Sequence, residues 1–396
     1  MRESRARRLI GSEFASLIGD GMVFTAMPFA VLAVGGGALE ISVVLGAQGL
    51  GLAGTVLFGG VVGDRFARRS VMVFADVLRL VPQAVVATLL VAGHASFGQL
   101  VATQLVHGIG TGLFMPASVA IVPDAVRGEL VQPTNALKQV ARAIASALGP
   151  ALGAGACAVV GPGLALGADA ATFGVSAVLL AGIPARRREP SGTGWLDELR
   201  EGWAEFRLRR WMQSVTVQFT VVNALVLAPF FVFAPITAQE RLGGVAGWGL
   251  LLTALAVGEA GGGFLATRWR PERPLVAATA AFAVWVVPLL LLAVLAPLPL
   301  IGVALIAAGF GQAVFAVLWE TTVQSQVGEA ERSRLSSFEM FGSLAFVPFG
   351  FVVGGLVEQT IGAGAGLIGG AILLGTSAAV VVALPSVRSL KAVDFD

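Results

Sequence analysis

Twelve apolar stretches, all of them longer than twenty residues, follow one another along the 396-residue chain with polar breaks between them. They fall near 10–34, 41–62, 71–92, 97–122, 136–160 and 163–184, then near 212–238, 246–268, 274–296, 299–322, 334–357 and 364–385. An α-helix needs about twenty mostly apolar residues to cross the hydrocarbon core of a bilayer, more than a helix buried in a water-soluble core requires. The pattern predicts an all-α polytopic membrane protein with twelve transmembrane helices. The opening segment, Arg2 to Arg8 followed by Leu9 to Val34, has the outline of a signal peptide. Its apolar part is too long for one and is interrupted by Glu13 and Asp20, so it reads as an uncleaved first span.

Only 13% of the residues are charged, about half the share usual in soluble domains. The net charge of +2 carries little information, but the placement of the charges carries much. One set of loops takes Arg2, Arg5, Arg7, Arg8, Arg65, Arg68, Arg69, Arg127, Lys138, the arginines of 186–210 and 268–273, Arg332, Arg334, Arg388 and Lys391. The opposite loops hold no lysine or arginine except Arg241. Sorted in this way, the charges predict an even number of spans in the cell membrane with both termini in the cytoplasm.

The polar connection at 186–211 divides six spans from six, which predicts an N-terminal half at 1–185, a cytoplasmic linker at 186–211 and a C-terminal half at 212–396. The halves echo each other. Leu137 and Pro150 in the fifth span recur as Leu335 and Pro348 in the eleventh, and Gly59-Gly60 with Asp64-Arg65 has a weaker counterpart in Gly262-Gly263 with Thr267-Arg268. Paired six-helix halves are a transporter architecture whose substrate site lies near the midplane. Within the linker, Leu196, Leu199, Trp203 and Phe206 recur at helical spacing, as in a solvated tether or an interfacial helix.

Between the second and third spans, the run from Gly60 through Asp64, Arg65, Arg68 and Arg69 resembles the loop motif of the major facilitator superfamily, G-x-L-a-D-R-x-G-R-K. It departs at Val62 and at Ala67, where the family favours leucine and glycine. The resemblance implies the major facilitator fold and a cytoplasmic gate latched through Asp64 and Arg65. Asp76 and Arg79 lie one helical turn apart just behind it, where they would neutralise each other and brace the motif. In the fifth span, Gly149, Pro150 and Gly153 look like the family's antiporter motif, with Ala145 and Ala154 in place of its outer glycines. Ser16 to Pro28, and Leu113 through Val122 and Pro123 to Leu137, resemble the macrolide- and siderophore-efflux branch of drug–proton antiporters. Many such antiporters carry an arginine in the fourth span, four residues before a glycine. Here that position is Gln104, before Gly108.

A charged side chain inside a span costs at least about 2.5–3.5 kcal/mol at the centre, which makes each one a functional candidate. Asp20, near the middle of the first span, is the leading candidate for proton coupling, with Glu259, Glu339 and Glu13 behind it. Glu13 sits shallow enough to face cytoplasmic water. Arg142 could pair with Asp20 or Glu339 or snorkel to the interface, and His107 reads as a packed polar residue or a proton relay. Phe24, Met27, Phe114, Met115, Phe315 and Trp319 are candidates for an adaptable hydrophobic substrate cavity.

The leading function is proton-coupled efflux of small hydrophobic or amphipathic compounds. The alternative is a dedicated exporter or facilitator of one metabolite, such as a siderophore or a self-made antibiotic. The two lysines, Lys138 and Lys391, lie outside any G-x-x-x-x-G-K-[ST] loop, which excludes an ATPase domain in this chain. No H-E-x-x-H or G-x-S-x-G run exists, and one cysteine with two histidines cannot build a metal cluster. An enzyme, a cofactor, a metal and a nucleic-acid partner are therefore not expected. The expected partners are lipid, a small hydrophobic substrate and protons, and a monomer is expected.

Overall fold

In the computed structural model, residues 2–126, 128–184, 203–266, 268–327, 335, 339, 342–343 and 345–391 are described. Among them there is no strand. Helices α1 (Arg2–Ala33), α2 (Ala38–Arg65), α3 (Arg68–Val91) and α4 (Phe97–Ala120) lead through a short turn, α5 (Val122–Ala125), into α6 (Gly128–Ala181). In the second part, α7 (Arg210–Val222) runs through a π-turn at Asn223–Leu227 into α8 (Ala228–Arg241), followed by α9 (Gly244–Ala266). Then come α10 (Pro274–Phe282) and α11 (Val286–Ala293), joined by a 3-10 turn, and α12 (Leu298–Gln326), α13 (Val347–Ala383) and α14 (Pro385–Arg388).

Ten of these helical stretches are long and apolar enough to cross a membrane. Two of the ten cover two expected spans each, because each turns back at a single glycine. Gly161 inside α6 has φ 82° and ψ 165°, and Gly362 inside α13 has φ 83° and ψ 157°. Both lie in a region that L side chains avoid and glycine enters freely. The hairpins between spans five and six and between eleven and twelve are thus made by the same device.

The chain divides into two compact units, Met1–Gly192 with Gly243–Gly249, and Thr193–Leu242 with Leu250–Asp396. In the first unit α1 packs along α6, α2 along α4, and α3 against both α4 and α6. In the second, α10 packs on α12 and α8 on α13. Most of the expected linker lies outside the described residues, although 203–208 is helical and Phe206 packs with Met212, Val323, Val327 and Leu335.

The sides of α3 explain why this arrangement suits lipid. Phe74, Val77, Val81 and Val85, three or four residues apart, are exposed, whereas Asp76, Arg79 and Gln83 on the opposite face are fully buried. A helix in water would invert this order. In a bilayer the apolar stripe is solvated by acyl chains and the polar stripe must be satisfied inside the protein.

Candidate functional site

The polar stripe of α3 is the centre of a charged cluster in the first unit. The Arg79 guanidinium donates from Nη2 to Asp76 Oδ1 at 2.6 Å and to Ser16 Oγ at 3.1 Å, and its Nη1 lies 3.4 Å from Asp20 Oδ1. Asp76 accepts a second bond from Ser176 Oγ at 2.6 Å. Asp20 also has His107 Nε2 from α4 at 3.2 Å. Two rings lie against the guanidinium, Phe114 at 4.7 Å and Phe173 at 4.2 Å, and His107 packs edge-on to Phe173 at 5.5 Å. A planar fork with five N–H donors and two faces is what lets one residue hold two carboxylates, a hydroxyl and two rings together.

Exposure sorts the roles. The side chains of Asp76 and Arg79 are 0% accessible, whereas that of Asp20 keeps 30%. Asp20 is therefore the carboxylate of this cluster that keeps exposed surface. Behind it lies Asp169, wholly buried on the second limb of α6 against Gly19 of α1. The carboxylate of Asp169 and the amides of Gln83 and Gln104 have no hydrogen-bond partner of regular geometry among the described residues.

Asp76 and Arg79 do pair, as their spacing predicted, but what they bind is α1 and α6, through Ser16, Asp20 and Ser176. Residues nearer the loop make a different set of links. Arg68 meets Asp124 at 3.0 Å, and Arg69 donates to the Leu180 and Ala181 carbonyls at 3.2 and 2.6 Å. Gly60, Asp64 and Arg65 fall within α2, and the side chains of Asp64 and Arg65 lie outside the described residues.

Glu13 requires a correction. It is 1% exposed rather than facing water, and it is held by Lys138 at 2.8 Å and Arg142 at 3.0 Å. Arg142 thus has Glu13 as its partner, and Lys138 also donates to the Ser118 carbonyl at 2.6 Å. A carboxylate this deep is tolerable because two cations converge on it from α6.

Gly149 and Gly153 face α1. A Cβ at Gly149 would stand 2.9 Å from the Ile18 carbonyl, and one at Gly153 would stand 2.7 Å from Met22 Cα. The antiporter-like motif therefore sets how closely α6 approaches the helix that carries Asp20. Among the cavity candidates, Met27 is wholly buried and Phe114 covers Arg79. Phe24 is half-buried and Met115 is 36% exposed.

The remaining candidates belong to the second unit. Gln312 Nε2 donates to Glu259 Oε1 at 2.6 Å, and Trp285 Nε1 donates to Gln312 Oε1 at 3.0 Å. Glu339 accepts from Ser343 Oγ at 3.4 Å. Phe315 is buried in an aromatic ladder, 4.2 Å from Phe219 and 6.3 Å from Trp319, which in turn meets Trp211 at 5.7 Å.

Comparison with known proteins gives this geometry a context. The sequence pattern of the Major Facilitator Superfamily matches residues 9–344. The multidrug efflux pump Tap of Mycobacterium tuberculosis H37Rv is 26% identical over 402 residues, covering 95% of this chain and 93% of that protein. The protein of the same name from Mycolicibacterium fortuitum is 25% identical, covering 94% and 93%. Among solved structures, the nucleoside transporter NupG superposes with a TM-score of 0.68 at 13% identity, over 96% of both chains. A POT family transporter bound to 5-aminolevulinic acid superposes with 0.74 at 10% identity, over 95% of this chain and 94% of that one. At such identities these two likenesses concern the fold.

Proposed function

The chain belongs to the Major Facilitator Superfamily, and from that premise we propose that it is a proton-coupled exporter of small hydrophobic or amphipathic compounds. It would work by alternating access between halves at 1–185 and 212–396, as a monomer in the cell membrane with both termini in the cytoplasm. The observation that carries the reading is Asp20, partly accessible and in contact with both Arg79 and His107.

Arg79 is shared. While Asp20 is ionised it draws on the guanidinium from α1, in competition with Asp76 on α3 itself. A proton on Asp20 removes that pull and leaves Arg79 to Asp76 and Ser16. Protonation thereby changes what ties α1 to α3 and α4, and a change of helix ties driven by one proton is the minimal requirement for coupling. Arg79 brings to Asp20 the positive charge that many related antiporters carry in the fourth span, where this chain has Gln104. One charge moving through 100 mV is worth about 2.3 kcal/mol, enough for roughly 50-fold accumulation of a neutral compound.

A broad substrate range is favoured over a single metabolite because relatives spanning nearly the whole chain bear the name multidrug efflux pump. The test is reconstitution in liposomes with an imposed pH gradient and a panel of fluorescent hydrophobic compounds. Movement that follows the gradient in the natural protein and not in Asp20→Asn is the expected result. Movement indifferent to the gradient would overturn the proton coupling, and movement of no compound would overturn the drug-export reading.

A further inference from the structure

An apolar cleft of about 480 Å³ opens in the second unit where α9, α10 and α12 meet. Its walls are Leu265 of α9, Ala281 of α10, Val284 of the 3-10 turn, and Ala307, Phe310 and Val314 of α12. Arg268 and Trp269 stand at its mouth. Small residues make the space, since Ala281 and Ala307 leave room that a larger side chain would fill. Neither the coupling cluster nor the antiporter-like glycines contribute to it.

Three features of the cleft select its occupant. The first is charge: the mouth belongs to a short turn that exposes Arg268, Arg270 and Arg273 against the single carboxylate of Glu272. These three arginines lie between the end of α9 and the start of α10, whose first-turn N–H groups at Leu275 and Val276 also favour an anion. The second is depth. From Pro274 to Val284 the helix descends about 15 Å, which is about half of a bilayer's hydrocarbon core and the reach of one leaflet. The third is the indole of Trp269, 42% exposed and three residues beyond the end of α9, as tryptophans at span ends mark the headgroup region. Anionic above, apolar below and one leaflet deep describes an anionic phospholipid.

We infer that this cleft is a specific site for an anionic phospholipid of the leaflet on the arginine-rich side. The phosphate rests on Arg268 and Arg270, and one acyl chain lies along Ala281, Val284 and Ala307. The inference needs only the membrane setting and not the transport cycle proposed above.

Native mass spectrometry on the full-length protein in detergent tests it, with phosphatidylglycerol and phosphatidylcholine titrated in turn. The natural protein should hold one phosphatidylglycerol at least about tenfold more tightly than phosphatidylcholine. Ala307→Phe, at an exposed position where the ring enters the cleft and not the core, should abolish that preference with an unchanged melting temperature. The double change Arg268→Gln with Arg270→Gln should weaken phosphatidylglycerol to the level of phosphatidylcholine. Equal retention of both lipids by the natural protein would overturn the inference, as would undiminished phosphatidylglycerol binding in Ala307→Phe. Full displacement by inorganic phosphate would restrict the site to a phosphate group and overturn the acyl-chain assignment. Loss of a fluorescent hydrophobic compound from Ala307→Phe with phosphatidylglycerol retained would assign the cleft to cargo and overturn it as well.

Discussion

Arg79 Nη1 reaches from α3 to within 3.4 Å of Asp20 Oδ1 on α1, while the other arm of the same guanidinium is committed to Asp76. One cation thus serves two carboxylates on two helices, and only one of the two carboxylates is accessible. This asymmetry separates the effects expected of substitutions at the three positions.

Asp20→Asn keeps the shape of the side chain and removes its titration. Gradient-driven export should fall about tenfold or more, a barrier change of about 1.4 kcal/mol, while the protein still inserts and melts near its usual temperature. Liposome flux under an imposed pH gradient, beside a detergent melting curve, checks both halves of the statement.

Arg79→Ala should behave differently, because it strands Asp76 with no cation at zero exposure. Removing one partner of a buried ion pair costs about 3–5 kcal/mol, so the expected result is a large drop in melting temperature or loss of the folded protein. Adding Asp76→Asn to Arg79→Gln should recover much of the stability and none of the coupled flux.

The Glu13 cluster yields a graded comparison. The Lys138 side chain is 9% accessible and that of Arg142 is 49%, although both lie within 3.0 Å of the same carboxylate. Lys138→Ala should therefore destabilise by several kcal/mol and Arg142→Ala by about 1 kcal/mol or less. Equal losses in thermal melts would contradict this division.

Two glycines of α6 form an internal control. Gly153→Ala places a methyl against Met22 of α1 and should lower stability, because backbone rather than a mobile side chain must give way. Gly155→Ala meets nothing within 4 Å and should raise helix stability by up to about 1 kcal/mol. Melting temperatures that move in the same direction for both would remove the close approach of α1 and α6 as the reason for the motif.

Sidedness is testable through the single cysteine. Cys157 is 7% exposed, so a membrane-impermeant maleimide should leave the natural protein unlabelled. Ser96→Cys, in a loop free of lysine and arginine, should label on intact cells. Ser389→Cys should label only after permeabilisation, and the reverse order would invert the proposed topology.

The spans were legible because lipid solvation leaves a continuous apolar signal that does not depend on which residues touch. The glycine hairpins were legible in part, since Gly161 and Gly362 each separate two such runs. Partner choice was not. Asp76 satisfied Arg79 locally at i,i+3, which concealed the reach to Asp20 across the gap to α1. Glu13 reads as shallow from its position in the chain. Its depth follows from Lys138 and Arg142, more than 120 residues away, and no periodic pattern encodes such a pairing. The same limit applies to Met27 and Phe114, whose burial depends on neighbouring helices that no periodic pattern names.

The backbone reversals at Gly161 and Gly362 leave almost nothing between the helices they join. Each pair would have to enter the bilayer together, as a preformed hairpin, because neither turn carries a polar loop long enough to be translocated by itself. The same economy leaves an antibody or a protease no peptide to grip at either turn. A reporter inserted at 161 or 362 would have to create a loop, and a purchase for such reagents, where the protein has none.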